Sequence, residues 1–237
     1  MFKRKLHNHP RNKHISFDKE SHTYMYKDEE FQGITSLIGR YTKPFDRDKV
    51  SKSYGRKHGM SQNEVLSLWQ SDQEYGNNLH DAVEDYINDG VLHPDFEEEL
   101  ENFQAAMDQY KLKPIAAEFV IYDEDIKRAS MIDVVCEKDG KIVIVDTKTM
   151  KNGIKMRSFR GRKMVYPLNH LYDNNYWKYC LQVTTYKDWM ERLYGMPVAD
   201  INYILHLRPE GYKMIPVLPL EKELKLIYED INESTTV

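Results

Sequence analysis

Residues 131–148, MIDVVCEKDGKIVIVDTK, constrain this chain more than any other stretch. Two β-branched runs, 132–136 and 142–145, flank Asp139-Gly140, a pair that favours a tight hairpin because the turn needs positive φ. Folding about that turn brings Asp133, near the start of the first strand, towards Asp146 and Lys148 at the end of the second. Side chains alternate along a strand, so Asp146 and Lys148 share a face and Thr147 turns away. Two carboxylates and a lysine thus converge at one end of an apolar sheet. Facing carboxylates repel unless a cation lies between them, and hard ions such as Mg²⁺ and Mn²⁺ prefer oxygen ligands. Such an ion can hold a phosphate oxygen and acidify a water, while a neighbouring ammonium orients that water or offsets developing charge. That chemistry suits phosphodiester hydrolysis.

An acid-x-Lys triplet is not specific by itself. The chain also holds Asp125-x-Lys127, Asp139-x-Lys141 and Glu223-x-Lys225. Asp146-x-Lys148 differs because it ends an apolar strand and has a second acid at hairpin distance.

Composition narrows the class. At 237 residues the chain suits one sizeable core. A mean hydropathy of -0.72 and 30% charged residues describe a soluble protein with no membrane span. No signal-peptide pattern opens the sequence, and the expected location is the cytoplasm. Cys136 and Cys180 are read as buried thiols, too few for an iron–sulfur cluster. A net charge of -4 argues against attraction of nucleic acid by the whole surface, though not against a local basic groove.

Residues 1–14 hold five Lys or Arg and no acid, and read as a basic, flexible terminus with phosphate contact as the alternative. A small hairpin is expected over 15–26 and short helices over 35–41 and 47–58. A longer helix over 71–88 carries Gly76, His80 and Glu84 along one slowly rotating face. Glycine one turn before His80 permits close approach of another backbone or a ligand. A helix over 94–110 follows, its acidic run 97–101 read as a solvated face. Glu118 interrupts an apolar strand over 115–122 and is either an edge charge or an inward acid.

After Lys148, residues 149–172 carry Lys151, Lys155, Arg157, Arg160, Arg162 and Lys163 with no acid. This basic loop, with the rings of Phe159 and Tyr166, is expected to contact nucleic acid. A helix over 174–194 places Asn175, Tyr179, Gln182 and Tyr186 on one stripe. Two strands, 201–207 and 212–217, and a helix over 219–232 complete the chain.

Taken in order, Gly76-x-x-x-His80, Glu118, Asp133, Asp146-Thr147-Lys148 and Gln182-x-x-x-Tyr186 resemble the motifs of the RecB-like branch of the PD-(D/E)XK nuclease superfamily. Its small phage-encoded and lambda-exonuclease-like members are the nearest in pattern. The resemblance implies an α/β, restriction-endonuclease-like core: a mixed central β-sheet flanked by helices, one nuclease domain over 1–237 with its catalytic core at 72–217. It implies Asp133, Asp146, the Thr147 carbonyl and His80 as ligands of Mg²⁺ or Mn²⁺. Lys148 would be the catalytic lysine and Glu118 an additional acid. Gln182 and Tyr186 would steady the site or touch DNA, alongside Arg157, Arg160, Arg162 and Lys163. The expected activity is a metal-dependent deoxyribonuclease, an exonuclease in phage or bacterial DNA recombination, repair or genome processing. A recombination or replication protein is an expected partner. Endonuclease or flap cleavage is the near alternative, and a non-catalytic DNA-binding or interaction module the distant one. Ser130 stands where relatives often have glycine, three residues before the first metal aspartate.

Overall fold

In the computed structural model, which describes residues 2–19, 21–157 and 161–235, the apolar runs form an eight-stranded mixed sheet with helices packed on both faces. In chain order the elements are α1 (Phe2–His7), β1 (Ile15–Asp18), β2 (Thr23–Tyr26), β3 (Glu29–Gly33), α2 (Ile34–Arg40), α3 (Arg47–His58), α4 (Gln62–Asp89) and α5 (Glu97–Tyr110). Then follow β4 (Lys113–Asp123), β5 (Arg128–Lys138), β6 (Lys141–Lys148), α6 (Asn175–Arg192), β7 (Tyr203–Arg208), β8 (Gly211–Pro216) and α7 (Glu221–Thr235). One core cluster joins α1, α2, α6 and α7 to the sheet, and another joins α4 and α5 to its opposite face. The mixed sheet flanked by helices is therefore the architecture expected of the sequence.

The Asp139-Gly140 hairpin forms as its residues dictate. Both have positive φ, 50° and 75°, and β5 and β6 pair antiparallel from Lys138↔Lys141 to Val134↔Val145. β5 is the strand on which the sheet turns. On one edge it pairs with β4 along most of its length. Its other edge is shared: β3 runs parallel beside Arg128 and Ala129, and β6 antiparallel beside residues 134–138. After Val145, β6 parts from β5 and continues parallel to β7, from Asp146↔Ile204 to Lys148↔His206. Residues 130–133 of β5 thus face a gap in the sheet among the described pairings.

At that gap the alternation of side chains shifts. Ile132 packs into the cluster under α6, yet Val134 packs into the one under α4 and α5. Strict alternation would put both on one face. The shift in alternation falls at Asp133, across from Glu118, whose φ of 45° is unusual for a non-glycine residue inside a strand, while the β4–β5 register is the same on either side, Phe119↔Ile132 and Ala117↔Val134. The irregularity turns both acids into the gap instead of into either core.

Three local expectations need correction. The basic stretch 1–14 is not a free tail: α1 buries Phe2 and Leu6 in the core, and Arg11 lies 4.5 Å over the Tyr122 ring. Two apolar anchors outweigh the cost of ordering so short a segment. The acidic run 97–101 is not wholly solvated, because Glu99 is buried and accepts a 2.5 Å hydrogen bond from Tyr75 Oη. Finally, α4 starts at Gln62 rather than residue 71, since Ser61 and Glu64 close a reciprocal capping box. Strand β3 had no separate expectation.

Candidate metal centre

The gap is furnished from four elements: His80 of α4, Glu118 of β4, Asp133 of β5, and Asp146 and Lys148 of β6. His80, Glu118 and Asp133 each offer one ligand atom, all within 4.8 Å of one another. His80 Nδ1 lies 3.4 Å from Glu118 Oε1 and 3.7 Å from Asp133 Oδ2. Asp133 also accepts a 2.6 Å hydrogen bond from the Thr147 amide, so one carboxylate secures the strand end where β6 leaves β5. A nitrogen and two carboxylates at this spacing can hold a divalent cation.

Asp146 and Lys148 share a face, as strand alternation requires. Lys148 Nζ lies 2.7 Å from Asp146 Oδ2, 3.7 Å from Asp133 Oδ2 and 5.0 Å over the Tyr179 ring, and donates to the Thr147 carbonyl at 3.0 Å. Asp146 is fully buried, and neither of its carboxylate oxygens meets hydrogen-bond geometry, although Oδ2 is in ion-pair contact with Lys148. A buried carboxylate is normally satisfied by donors. The unpartnered Oδ1 of this buried acid, beside a His/Glu/Asp set, is the observation that fits a cation.

Electrostatics follow the same geometry. Burial pushes the Asp146 carboxyl up to about 6, against the opposing pull of Lys148. Burial lowers the Lys148 pKa, but the charges of Asp146 and Asp133 outweigh it and raise it above the ordinary lysine value. For His80, burial lowers the pKa, while Asp133 and the Glu118 contact override it and carry the ring to about 9. The acids of the centre therefore favour the cationic forms of both His80 and Lys148.

The remaining residues singled out from the sequence divide clearly. Gly76 is closely approached by a side chain and not by the expected backbone or ligand: a Cβ there would sit 3.1 Å from Thr149 Oγ1, in the loop that leaves the centre. Gln182 and Tyr186 are buried and not available to DNA. Gln182 Nε2 donates to Tyr186 Oη at 2.6 Å, and Tyr186 Oη contacts Ser130 Oγ at 2.8 Å. Their place is behind the centre, and Ser130 completes the chain of polar contacts. Arg162 and Lys163 are also engaged at home. Arg162 pairs with Asp173 at 2.6 Å and donates to the Lys43 carbonyl, while Lys163 donates to the His170 carbonyl and covers the Tyr172 ring. Arg157 is exposed, and Arg160 lies outside the described residues, as does Phe159. Cys136 and Cys180 are buried free thiols in opposite core clusters.

Two neighbours escaped the sequence. Tyr179 stood on the α6 stripe, but its ring position over Lys148 depends on how α6 crosses the sheet. Arg208, at the end of β7, donates to the Thr149 carbonyl at 3.2 Å and lies 4.8 Å over the Tyr75 ring. The parallel pairing of β6 with β7 places it there, and no local signal announces that pairing.

The fold and centre define a mixed α/β protein with a candidate divalent-metal site. No protein-family model matches the chain, and no curated protein matches it. Ten chains of solved structures do match. One, a candidate exonuclease from Eubacterium rectale, is 13% identical with a TM-score of 0.37, over 85% of this chain and 69% of that one. A likeness so loose carries no weight in assigning chemistry. No helix among the described residues is long and apolar enough to cross a membrane.

Proposed function

We propose that this protein is a divalent-metal-dependent deoxyribonuclease, acting as an exonuclease in phage or bacterial DNA recombination, repair or genome processing. The observation that carries the reading is Asp146: a buried carboxylate whose Oδ2 is joined to Lys148 while Oδ1 has no hydrogen-bond partner, set beside the His80, Glu118 and Asp133 ligand atoms. His80, Glu118, Asp133, Asp146 and the Thr147 carbonyl would hold Mg²⁺ or Mn²⁺. Bound there, the ion supplies Lewis-acid polarisation of a phosphodiester and a water of lowered pKa.

The chain's own residues supply the rest. Lys148, held protonated by two carboxylates, acts through its charge and its N–H donors and not as a base. It orients the attacking water and offsets negative charge building on the phosphoryl oxygens. Asp133 braces the Thr147 amide and so fixes where Asp146 and Lys148 stand. The polar contacts of Ser130, Tyr186 and Gln182 steady β5 from behind. DNA is the substrate, the cytoplasm of a bacterial or phage-infected cell the setting, and a recombination or replication protein the partner in this reading. A domain that had lost catalysis would have little reason to keep so many buried charges, which destabilise a core when they serve no ligand.

The test is cleavage of end-labelled linear and closed circular DNA, single- and double-stranded, in Mn²⁺, Mg²⁺ or EDTA. Metal-dependent loss of linear DNA with circles spared is the expected result, and Asp146→Asn abolishes it while DNA binding persists. Cut circles identify an endonuclease. A folded wild-type protein that binds DNA and cuts none of these substrates refutes the proposal.

A further inference from the structure

The face of α4 that carries His80 continues beyond the metal centre. Trp69, Gln73, Gly76 and His80 recur at helical spacing, so they lie along one side of the helix. Trp69 stands about 16 Å from His80 along the axis at about 1.5 Å per residue. Thr149 crosses this rail at Gly76, and on its far side a cavity of about 600 Å³ opens between α3, α4 and the loop after β6.

Two chemistries meet in that cavity. The first is a run of rings on the α3–α4 corner. Phe45, 64% exposed, lies 6.0 Å from Trp69, Trp69 lies 6.4 Å from Tyr54, and Tyr54 stacks on His58 at 4.2 Å. The second is positive charge. Lys155, Arg157 and Arg208 line the cavity, and among the described residues Lys155 and Arg157 have no ion-pair partner. Asp72, the acid in the lining, is already held by Lys151 at 2.5 Å. α3 itself carries Arg47, Lys49, Lys52, Arg56 and Lys57 against Asp48 alone.

Rings at the surface, exposed at Phe45 and Tyr54 and half-buried at Trp69, interleaved with cations match unpaired nucleotides. Bases offer π-faces to the rings and phosphates meet the cations. A paired duplex keeps its base faces stacked inside and offers the rings nothing. We propose that the α3–α4 corner, with Trp69 and Tyr54 as its stacking surfaces, binds the unpaired stretch of a nucleic-acid strand whose adjoining phosphate reaches the metal centre. The inference deepens the nuclease reading and rests on it only for the role of the centre.

The experiment separates the two. Asp146→Asn protein in EDTA is titrated with an end-labelled oligothymidylate and with a blunt duplex, following anisotropy and tryptophan fluorescence. Trp69→Leu and Tyr54→Leu, introduced singly and checked for folding by circular dichroism, should each weaken the single strand about tenfold. The duplex should change by less than about twofold, and Trp69→Phe, which keeps a ring, should restore most of the single-strand affinity. Unchanged single-strand binding in both folded leucine variants overturns the platform, as does an equal loss for strand and duplex. If wild-type protein cuts nothing but the leucine variants still lose the single strand selectively, the platform stands and the nuclease reading falls. If wild type cuts and the variants bind as it does, the reverse holds.

Discussion

Lys148→Met offers a quantitative test of the buried charge cluster. Lys148 is the close counter-charge of Asp146, at 2.7 Å, and also lies 3.7 Å from Asp133. The folded pKa of Asp146, about 6, exceeds its ordinary 3.8, so its contribution to stability is complete below about 4 and lost as pH rises through 6. Above 6, the Lys148 charge lets the folded protein ionise Asp146 and follow the unfolded chain, which stops the loss. With methionine at 148 that escape closes, the Asp146 pKa climbs further, and the folded state goes on losing ground. The extra loss is capped by keeping Asp146 protonated: at pH 8, two units above 6 at about 1.4 kcal/mol each, it is about 3 kcal/mol. His80, carried to about 9, also loses stability as pH rises towards that value, but it does so in both proteins and largely cancels in the difference. The lost lysine packing is likewise independent of pH in this range.

Urea unfolding in EDTA at pH 5 and pH 8 measures the quantity. The destabilisation by Lys148→Met should be larger at pH 8 than at pH 5, by up to about 3 kcal/mol. Mn²⁺ should recover part of it at pH 8, because a cation binding the folded state stabilises it by mass action. A destabilisation equal at both pH values would refute the claim that Asp146 titrates against Lys148 within a buried cluster.

Other perturbations probe separate parts of the reasoning. Metal binding must displace the proton that Asp133 and Glu118 hold on His80, so Mn²⁺ affinity should rise with pH up to about 9, with proton uptake by buffer visible in calorimetry. Affinity independent of pH would remove His80 from the ligand set. Tyr186→Phe strips the partner of Ser130 Oγ and Gln182 Nε2 in a buried setting and should cost about 1 to 3 kcal/mol in denaturant unfolding, whereas a surface role would cost nothing measurable. In the basic loop, Lys155→Ala with Arg157→Ala should weaken DNA binding and flatten its salt dependence. Arg162→Ala should chiefly lower stability, since its guanidinium already serves Asp173 and the Lys43 carbonyl.

Much of the centre was legible in the sequence because its geometry is local. Asp139-Gly140 sets the hairpin, the hairpin sets the register, and the register sets Asp133 near the Asp146 and Lys148 pair. Glycine at 76 likewise announced a close approach one turn from His80, though the partner is the Thr149 side chain and not a backbone or ligand. Side-chain period and turn chemistry act over a few residues, so a linear reading captures them.

What only the tertiary structure decided is where distant elements meet. The parting of β6 from β5 after Val145, and the shift in alternation at Asp133 opposite Glu118, open the gap that admits His80 from α4. Whether a polar residue faces a ligand or a neighbour was also undecided: Gln182 and Tyr186 turned inward beside Ser130, while Arg162 and Lys163 engage Asp173 and backbone carbonyls at the surface. The basic terminus docked through Phe2 and Leu6, a choice made by a core that composition alone does not reveal. Local chemistry determines which residues can form a site, and long-range packing determines which of them are left facing it.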